Sequence, residues 1–228
     1  MNEFVKNTGG FRVHKWDHYF SIYEKYFSKF KNKDIRLLEI GVSGGGSLQM
    51  WKNYFGSNSV IVGIDIDTRC YQYADQNIFI EMIDQNNKSD IDTLIEKYGN
   101  FDLIIDDGSH INEHVINSFN WLFPILNNDG LYLIEDTHTS YWHEYGGGFR
   151  TENTSVEHSK KLVDHLTSYH FNNNETVDKY YANSISGIYF HDSIIVFEKK
   201  IRKYEPFDVF YIDGEIERES AFRKQKEI

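Results

Sequence analysis

A mostly parallel α/β sheet with both faces covered is predicted for this 228-residue chain by three features. Short apolar runs recur at IRLLEI (35–40), SVIVGID (59–65), NIFIEMID (77–84), FDLIID (101–106) and LYLIED (131–136). Helix-length intervals separate them, as parallel strands joined by crossovers require. Several of the runs end in acids, and the carboxyl ends of parallel strands share one edge of a sheet, where ligands collect.

The opening ten residues read as a flexible or ligand-covering arm. HYFSIYEKYFSKF (18–30) spaces Tyr19, Phe20, Tyr23, Tyr26, Phe27 and Phe30 along one face of a helix. KNKD ends that pattern before the first strand. DIDTLIEKYG predicts a short helix closed by Gly99. INEHVINSFNWLFPIL (111–126) predicts another, its last turn made irregular by Pro124, with NNDG as the following turn. SVEHSKKLVDHLTSYHF (155–171) predicts one more helix. GIYFHDSIIVFEK (187–199) holds two β-rich runs meeting at His191-Asp192-Ser193, an antiparallel hairpin added to the parallel sheet. The rest is a charged tail in which DVFYIDG packs locally. With no repeats and no clear linker, the expected division is a helical arm over the active site (1–34), a catalytic core (35–199) and a tail (200–228).

Apolar residues make up 40% and aromatics 16%, enough for a substantial core. The charge, 24 basic against 35 acidic residues, is −11. That mean field does not favour nucleic acid or anionic membrane, and no basic stripe interleaved with aromatics reverses it. One cysteine, Cys70, makes neither an internal disulfide nor a Cys-rich metal site. Without a secretion-like start or a run of about 18 apolar residues, a cytoplasmic location is expected.

LLEIGVSGGGS (37–47) places Gly41, Gly44, Gly45 and Gly46 directly after the first strand. Glycines there permit positive φ and bring backbone N–H groups close to a ligand. The spacing is neither GxxxxGK[ST] nor GxGxxG, since Ser43 stands two beyond Gly41, which argues against a nicotinamide oxidoreductase. Asp65 ends the second strand, where a carboxylate accepts the ribose hydroxyls of a nucleoside cofactor. Asp67 is close enough to leave the choice within GIDID open. Asp84 and Gln85 end the third strand, either at an adenine edge or as a strand-end cap.

Asp106-Asp107 and Glu135-Asp136 leave neighbouring strands at the same edge. Carboxylates brought together repel unless a cation, proton or donor offsets them. Asp107, Glu135 and Asp136 form an oxygen-rich cluster suited to Mg²⁺ with retained waters, unless they cap helices or pair with basic side chains. His110, three residues beyond Asp107, is placed as a general base toward a substrate hydroxyl. His138, Tyr141 and Trp142, with His114 behind them, are candidates for the pocket wall.

Assembled, the stretches LLEIGVSGGGSLQMW, VGIDID, FDLIIDDGSHINEHVINSF and GLYLIEDTHTSYW resemble the class I S-adenosylmethionine-dependent methyltransferases. More narrowly, they are similar to the metal-dependent sugar O-methyltransferases of the mycinamicin type. HKWDHYFSIYEKYF and the 187–199 hairpin extend the resemblance over roughly residues 10–199. It implies a doubly wound, seven-stranded sheet whose last strand is antiparallel. It also implies S-adenosylmethionine held by Glu39, Gly41, Ser43, Gly44, Gly45, Asp65, Asp84, Gln85 and Asp106. Mg²⁺ would lie on Asp107, Glu135 and Asp136, with His110 as general base. The expected reaction is methylation of a hydroxyl on a sugar or glycosylated small molecule. A catechol-like acceptor would use much the same site, and a noncatalytic cofactor-binding protein would share the scaffold. Two departures stand out: E-x-G-x-G reads E-I-G-V-S, and there is no room for the large amino-terminal domain of mycinamicin-type members. The second suggests a homo-oligomer in which a neighbour closes the pocket.

Overall fold

The computed structural model describes residues 8–168, 171, 177–202, 207–210 and 216–219. The start of the predicted arm, residues 169–170 of the predicted 155–171 helix and most of the tail therefore lie outside the described residues. In chain order the elements are α1 (Tyr19–Phe27), β1 (Arg36–Ile40), α2 (Gly46–Phe55), β2 (Val60–Asp65), β3 (Ile78–Met82), α3 (Lys88–Tyr98), β4 (Phe101–Asp106), α4 (Asn112–Leu122), β5 (Leu126–Ile134), α5 (Ser155–Lys161), α6 (Val163–Thr167), α7 (Lys179–Ser184), β6 (Ile185–His191) and β7 (Ile194–Lys199). A separate two-stranded ladder pairs β8 (Phe207–Phe210) with β9 (Ile216–Glu219), within the region read as locally packed tail.

The seven strands lie in the order β3-β2-β1-β4-β5-β7-β6. β1 to β5 are parallel; β7 runs antiparallel between β5 and β6. Successive strand residues point to opposite faces, and both faces are buried. Leu37, Leu103 and Ile105 join α1 and α2 in one core; Leu38, Ile104 and Tyr132 join Phe119, Phe123 and Phe197 in the other. The predicted aromatic face of α1 packs into the first core, where Tyr23 stacks on Phe27 at 5.5 Å and meets Trp51 edge-on at 5.1 Å.

Two boundaries differ from the sequence reading. NNDG is no free turn, because β5 already begins at Leu126 and its pairing with β4 slips between Phe101 and Leu103 to absorb Asn127–Gly130 as a bulge. The 155–171 helix is split at Leu162, whose N–H is directed at two carbonyls, those of His158 and Lys160. At Pro124 α4 gives way to a 3-10 turn, as expected.

The carbonyls freed at that turn have a specific partner. Lys199, 6% exposed, donates from Nζ to the backbone oxygens of Phe123 (3.2 Å), Pro124 (2.8 Å) and Leu126 (2.6 Å). Burial pushes its ammonium down to about 8 from the usual 10.5. Between those values the folded protein binds fewer protons than the unfolded chain, so the Lys199 contribution to stability rises with pH. Lys199→Met is expected to cost about 2 kcal/mol by leaving buried carbonyls unpaired. Urea unfolding should show the gap to the unaltered protein widening from about pH 7 to about pH 9.

Candidate active site

Strand order decides which loops meet. β2 and β4 flank β1, so the chain leaves β1 in one direction and β4 in the other, the arrangement that opens a crevice at the carboxyl edge. Backbone bonds knit the exits together: Gly41 N–H donates to the Ile64 carbonyl, Asp107 N–H to Ile40 and Glu135 N–H to Asp106. Gly41, Asp107 and Glu135 thereby emerge side by side.

A cavity of about 370 Å³ lies beyond these ends, between Gly41, Ser43 and Asp65 on one side and Asp84, Ser109 and His114 on the other. Gly41 has φ +92°, and a Cβ there would sit 2.1 Å from the Asp107 carbonyl oxygen, so no other residue fits. Ser43 also adopts a left-handed φ of 47°, the conformation that a glycine at this point of the turn would take without strain. Asp65 clamps the turn: Oδ2 accepts the N–H groups of Val42 (2.9 Å) and Ser43 (3.1 Å), and Oδ1 that of Asp67 (2.9 Å). Asp67 turns away to Arg69, so of the two acids only Asp65 lines the cavity. Ile66, Ile83 and Ile111 supply apolar walls. Polar groups at one end and flat apolar walls suit a nucleoside.

Other predicted cofactor residues occupy different places. Gln85 lines the cavity, but its amide is engaged: Nε2 donates to Asp106 and Ser118, and Oε1 accepts from Ser109 N–H at 2.7 Å. Asp106 lies beneath the floor, 1% exposed, and burial pushes its carboxyl up to about 7. Glu39 is fully buried behind the turn, accepting from Ser47 at 2.8 Å. Asp84 lines the cavity and accepts from Asn86 N–H; Gly44 lines the next cavity, while Gly45 packs on Tyr73.

A second cavity, of about 430 Å³, shares Gly41, Ser43, Asp107 and Gly108 with the first. It holds His110, Asp136, His138, Trp142 and Tyr145, closed on the far side by Arg12 to Trp16 of the arm. His138 packs against Trp142 at 4.8 Å and Trp16 at 5.9 Å between ring centroids. Tyr141 is half exposed and lines neither cavity. Asn112 holds the loop that carries Trp142, donating to the Tyr145 carbonyl and accepting from Ser140 Oγ and Ser155 N–H.

Besides Gly41 and Ser43, this cavity is lined by His110 (φ 57°) and Asp136 (φ 53°), also left-handed, which face one another. His110 Nε2 lies 3.5 Å from Asp136 Oδ2 and 3.8 Å from Asp107 Oδ1, and one atom from each of the three residues falls within 4.8 Å of the others. Two carboxylate oxygens at that spacing fit a divalent cation that completes its shell with water, with the imidazole standing beside it within reach of a substrate proton.

Glu135 does not join this trio. It is 2% exposed, and both of its oxygens are occupied, Oε1 by Tyr23 OH (2.8 Å) and Oε2 by Lys15 Nζ (2.9 Å). Burial pushes the Glu135 carboxyl up to about 8 against the pull of Lys15. Lys15 also reaches Asp107 Oδ2 at 2.6 Å and Glu39 Oε1 at 3.4 Å. Burial draws its ammonium toward neutrality, but the three carboxylates outweigh that and hold it well above its ordinary value. Lys15, Tyr19 and Tyr23 are functional-site residues that the sequence reading did not single out. Their signal was a tyrosine pair on an apolar face, since a buried phenol needs an acceptor.

Residues 38–137 match the model of a methyltransferase domain family. Demethylmacrocin O-methyltransferase of Streptomyces fradiae is 41% identical over 172 residues, 70% of this chain and 43% of that protein. Mycinamicin VI 2''-O-methyltransferase of Micromonospora griseorubida is 41% identical over 152 residues, covering 62% of this chain and 38% of that one. The solved MycE methyltransferase of the mycinamycin biosynthetic pathway, in complex with Mg, SAH and mycinamycin VI, superposes with a TM-score of 0.79 at 32% identity over 88% of this chain. The chain belongs to the class I S-adenosylmethionine-dependent methyltransferases. Within them it is related to the mycinamicin-type sugar O-methyltransferases, and it spans about half the length of the relatives it matches, 53% of the MycE chain. As a class I methyltransferase it has the expected seven-stranded sheet, and none of its described helices is long and apolar enough to cross a membrane.

Proposed function

We propose that this methyltransferase domain moves a methyl group from S-adenosylmethionine to a hydroxyl on the sugar of a small glycosylated molecule, with Mg²⁺ as cofactor. The observation that carries this reading is the shared wall of the two cavities. Gly41 and Asp107 border both, so a donor in the first and an acceptor in the second meet beside His110.

The Gly41–Gly44 turn and Asp65 would hold the donor, with Asp84 at its far end. Asp107 and Asp136 are the acids whose open oxygens would hold Mg²⁺, with Glu135 behind them. When bound, the cation supplies Lewis-acid polarisation that lowers the pKa of an acceptor hydroxyl. His110 Nε2 takes the hydroxyl proton, and the oxygen forms its bond to carbon as the carbon–sulfur bond breaks. A methyl ether, S-adenosylhomocysteine and one proton result. His138, Trp142 and Tyr145 orient the acceptor and exclude water, because transfer needs both reactants in one narrow line. The relatives named for sugar or macrolide methylation support this acceptor class. The arm, core and tail division, a cytoplasmic location and a homo-oligomer closing the acceptor cavity go with the same reading.

The test is transfer of a labelled methyl group from S-adenosylmethionine to a panel of deoxysugar glycosides and catechols, with Mg²⁺ or EDTA. Label entering glycosides only with Mg²⁺ is expected. Label confined to catechols, or absent from every acceptor, would contradict the proposal.

A further inference from the structure

The amino-acid end of S-adenosylmethionine carries a sulfonium, an ammonium and a carboxylate. The two cations suit walls lined by acids: Asp65, Asp84 and Asp107 line the first cavity, Asp107 and Asp136 the second. The carboxylate suits neither, and is repelled unless a positive group meets it. Among the described residues lining the two cavities, the lysine and arginine are Lys15 and Arg12. Lys15 is already engaged, buried against Glu39, Asp107 and Glu135. Arg12 is exposed, and its guanidinium has no hydrogen-bonding or ionic partner among the described residues.

We propose that Arg12 binds the carboxylate of the donor's methionine portion and so fixes which way the donor lies, its adenosine toward Asp65 and Asp84 and its amino-acid end toward the arm. The inference rests on the donor reading above and deepens it. The arm is seated where this requires. Arg12 forms a bridge with Gly45, and its carbonyl oxygen stands 2.4 Å from where a Cβ on Gly46 would be and 3.2 Å from one on Gly44. The consecutive glycines therefore do more than make a turn: they let residue 12 lie against it. Phe11 anchors the same stretch, meeting Tyr73 edge-on at 5.2 Å. The path between the cavities leads to this point. Gly41 and Ser43 border both, whereas Gly44 and Ser47 border the second alone, beside Arg12. A chain leaving the first cavity along the turn thus arrives at the guanidinium, whose planar fork matches a carboxylate.

Arg12→Gln isolates the claim, because the side chain is exposed and its loss leaves no buried partner behind. Arg150→Gln is the control: it removes the same charge from an exposed arginine that rests on Phe149 and lines neither cavity. The probes are S-adenosylhomocysteine and its decarboxylated analogue, which differ by the carboxylate alone, titrated calorimetrically without acceptor. Arg12→Gln should weaken S-adenosylhomocysteine about tenfold and leave the analogue within about twofold, so that the preference of the unaltered protein for the carboxylate is lost. Arg150→Gln should leave both affinities within about twofold. Unchanged S-adenosylhomocysteine affinity in Arg12→Gln would overturn the inference and leave the donor reading standing. Equal weakening of both probes would also overturn it, as a general disturbance of the arm. No S-adenosylhomocysteine binding by the unaltered protein would remove the donor reading itself, and this inference with it.

Discussion

His110→Asn lowers methyl-transfer turnover by about 10²- to 10⁴-fold, the range expected for loss of a general base, while S-adenosylhomocysteine affinity stays within about twofold. The split follows from where the side chain stands. His110 lines the acceptor cavity and is absent from the wall of the donor cavity. Its Nε2 points to the space bounded by Asp107 and Asp136, where the acceptor hydroxyl must lie. Asparagine is the informative replacement because the backbone has φ 57°, which asparagine tolerates and alanine does not. Steady-state turnover and calorimetric cofactor binding check it. Equal loss of both would mean that the variant disturbs the β4 loop as a whole, and the base assignment would fall.

Asp136→Asn removes the metal-dependent rate, a fall of at least about 100-fold, and leaves a residue that EDTA does not reduce further. Asparagine keeps the volume and the left-handed backbone of Asp136 and still accepts from Tyr19, so the change is confined to charge on the open oxygen. Glu135→Gln should cost less. Both of its oxygens are already engaged, by Lys15 and Tyr23, and it stands outside the cluster of Asp107, His110 and Asp136. An undiminished, EDTA-resistant rate in Asp136→Asn would reject its metal role.

Most of the sheet was legible because parallel strands buried on both faces are written as short unbroken apolar runs, and β1, β2 and β4 fall within one residue of those runs. β5 was read too short because a bulge of Asn, Asp and Gly has the composition of a turn. The break at Leu162 has no glycine or proline to mark it. In the site, the acids and His110 were visible as strand-end residues, since chain order alone brings them to one edge. Orientation was not visible. Gln85 looked like a group that reads a base, whereas Ser109 and Ser118, from 24 and 33 residues away, take its amide. Lys15 meets partners 24, 92 and 120 residues distant, and no local pattern encodes such contacts. For the same reason the contacts of Glu135 with Lys15 and Tyr23, more than a hundred residues earlier, could not be read from its place beside Asp136.

Calorimetric titration with S-adenosylhomocysteine, in Mg²⁺ and again in EDTA, decides whether the cavity at the Gly41 turn takes the donor. Saturable binding near one site per chain is expected, abolished when a side chain is forced into the turn by Gly41→Val. No binding to folded protein in either condition would contradict it, because the cavity beyond Gly41 and Asp65 would then not be a donor site.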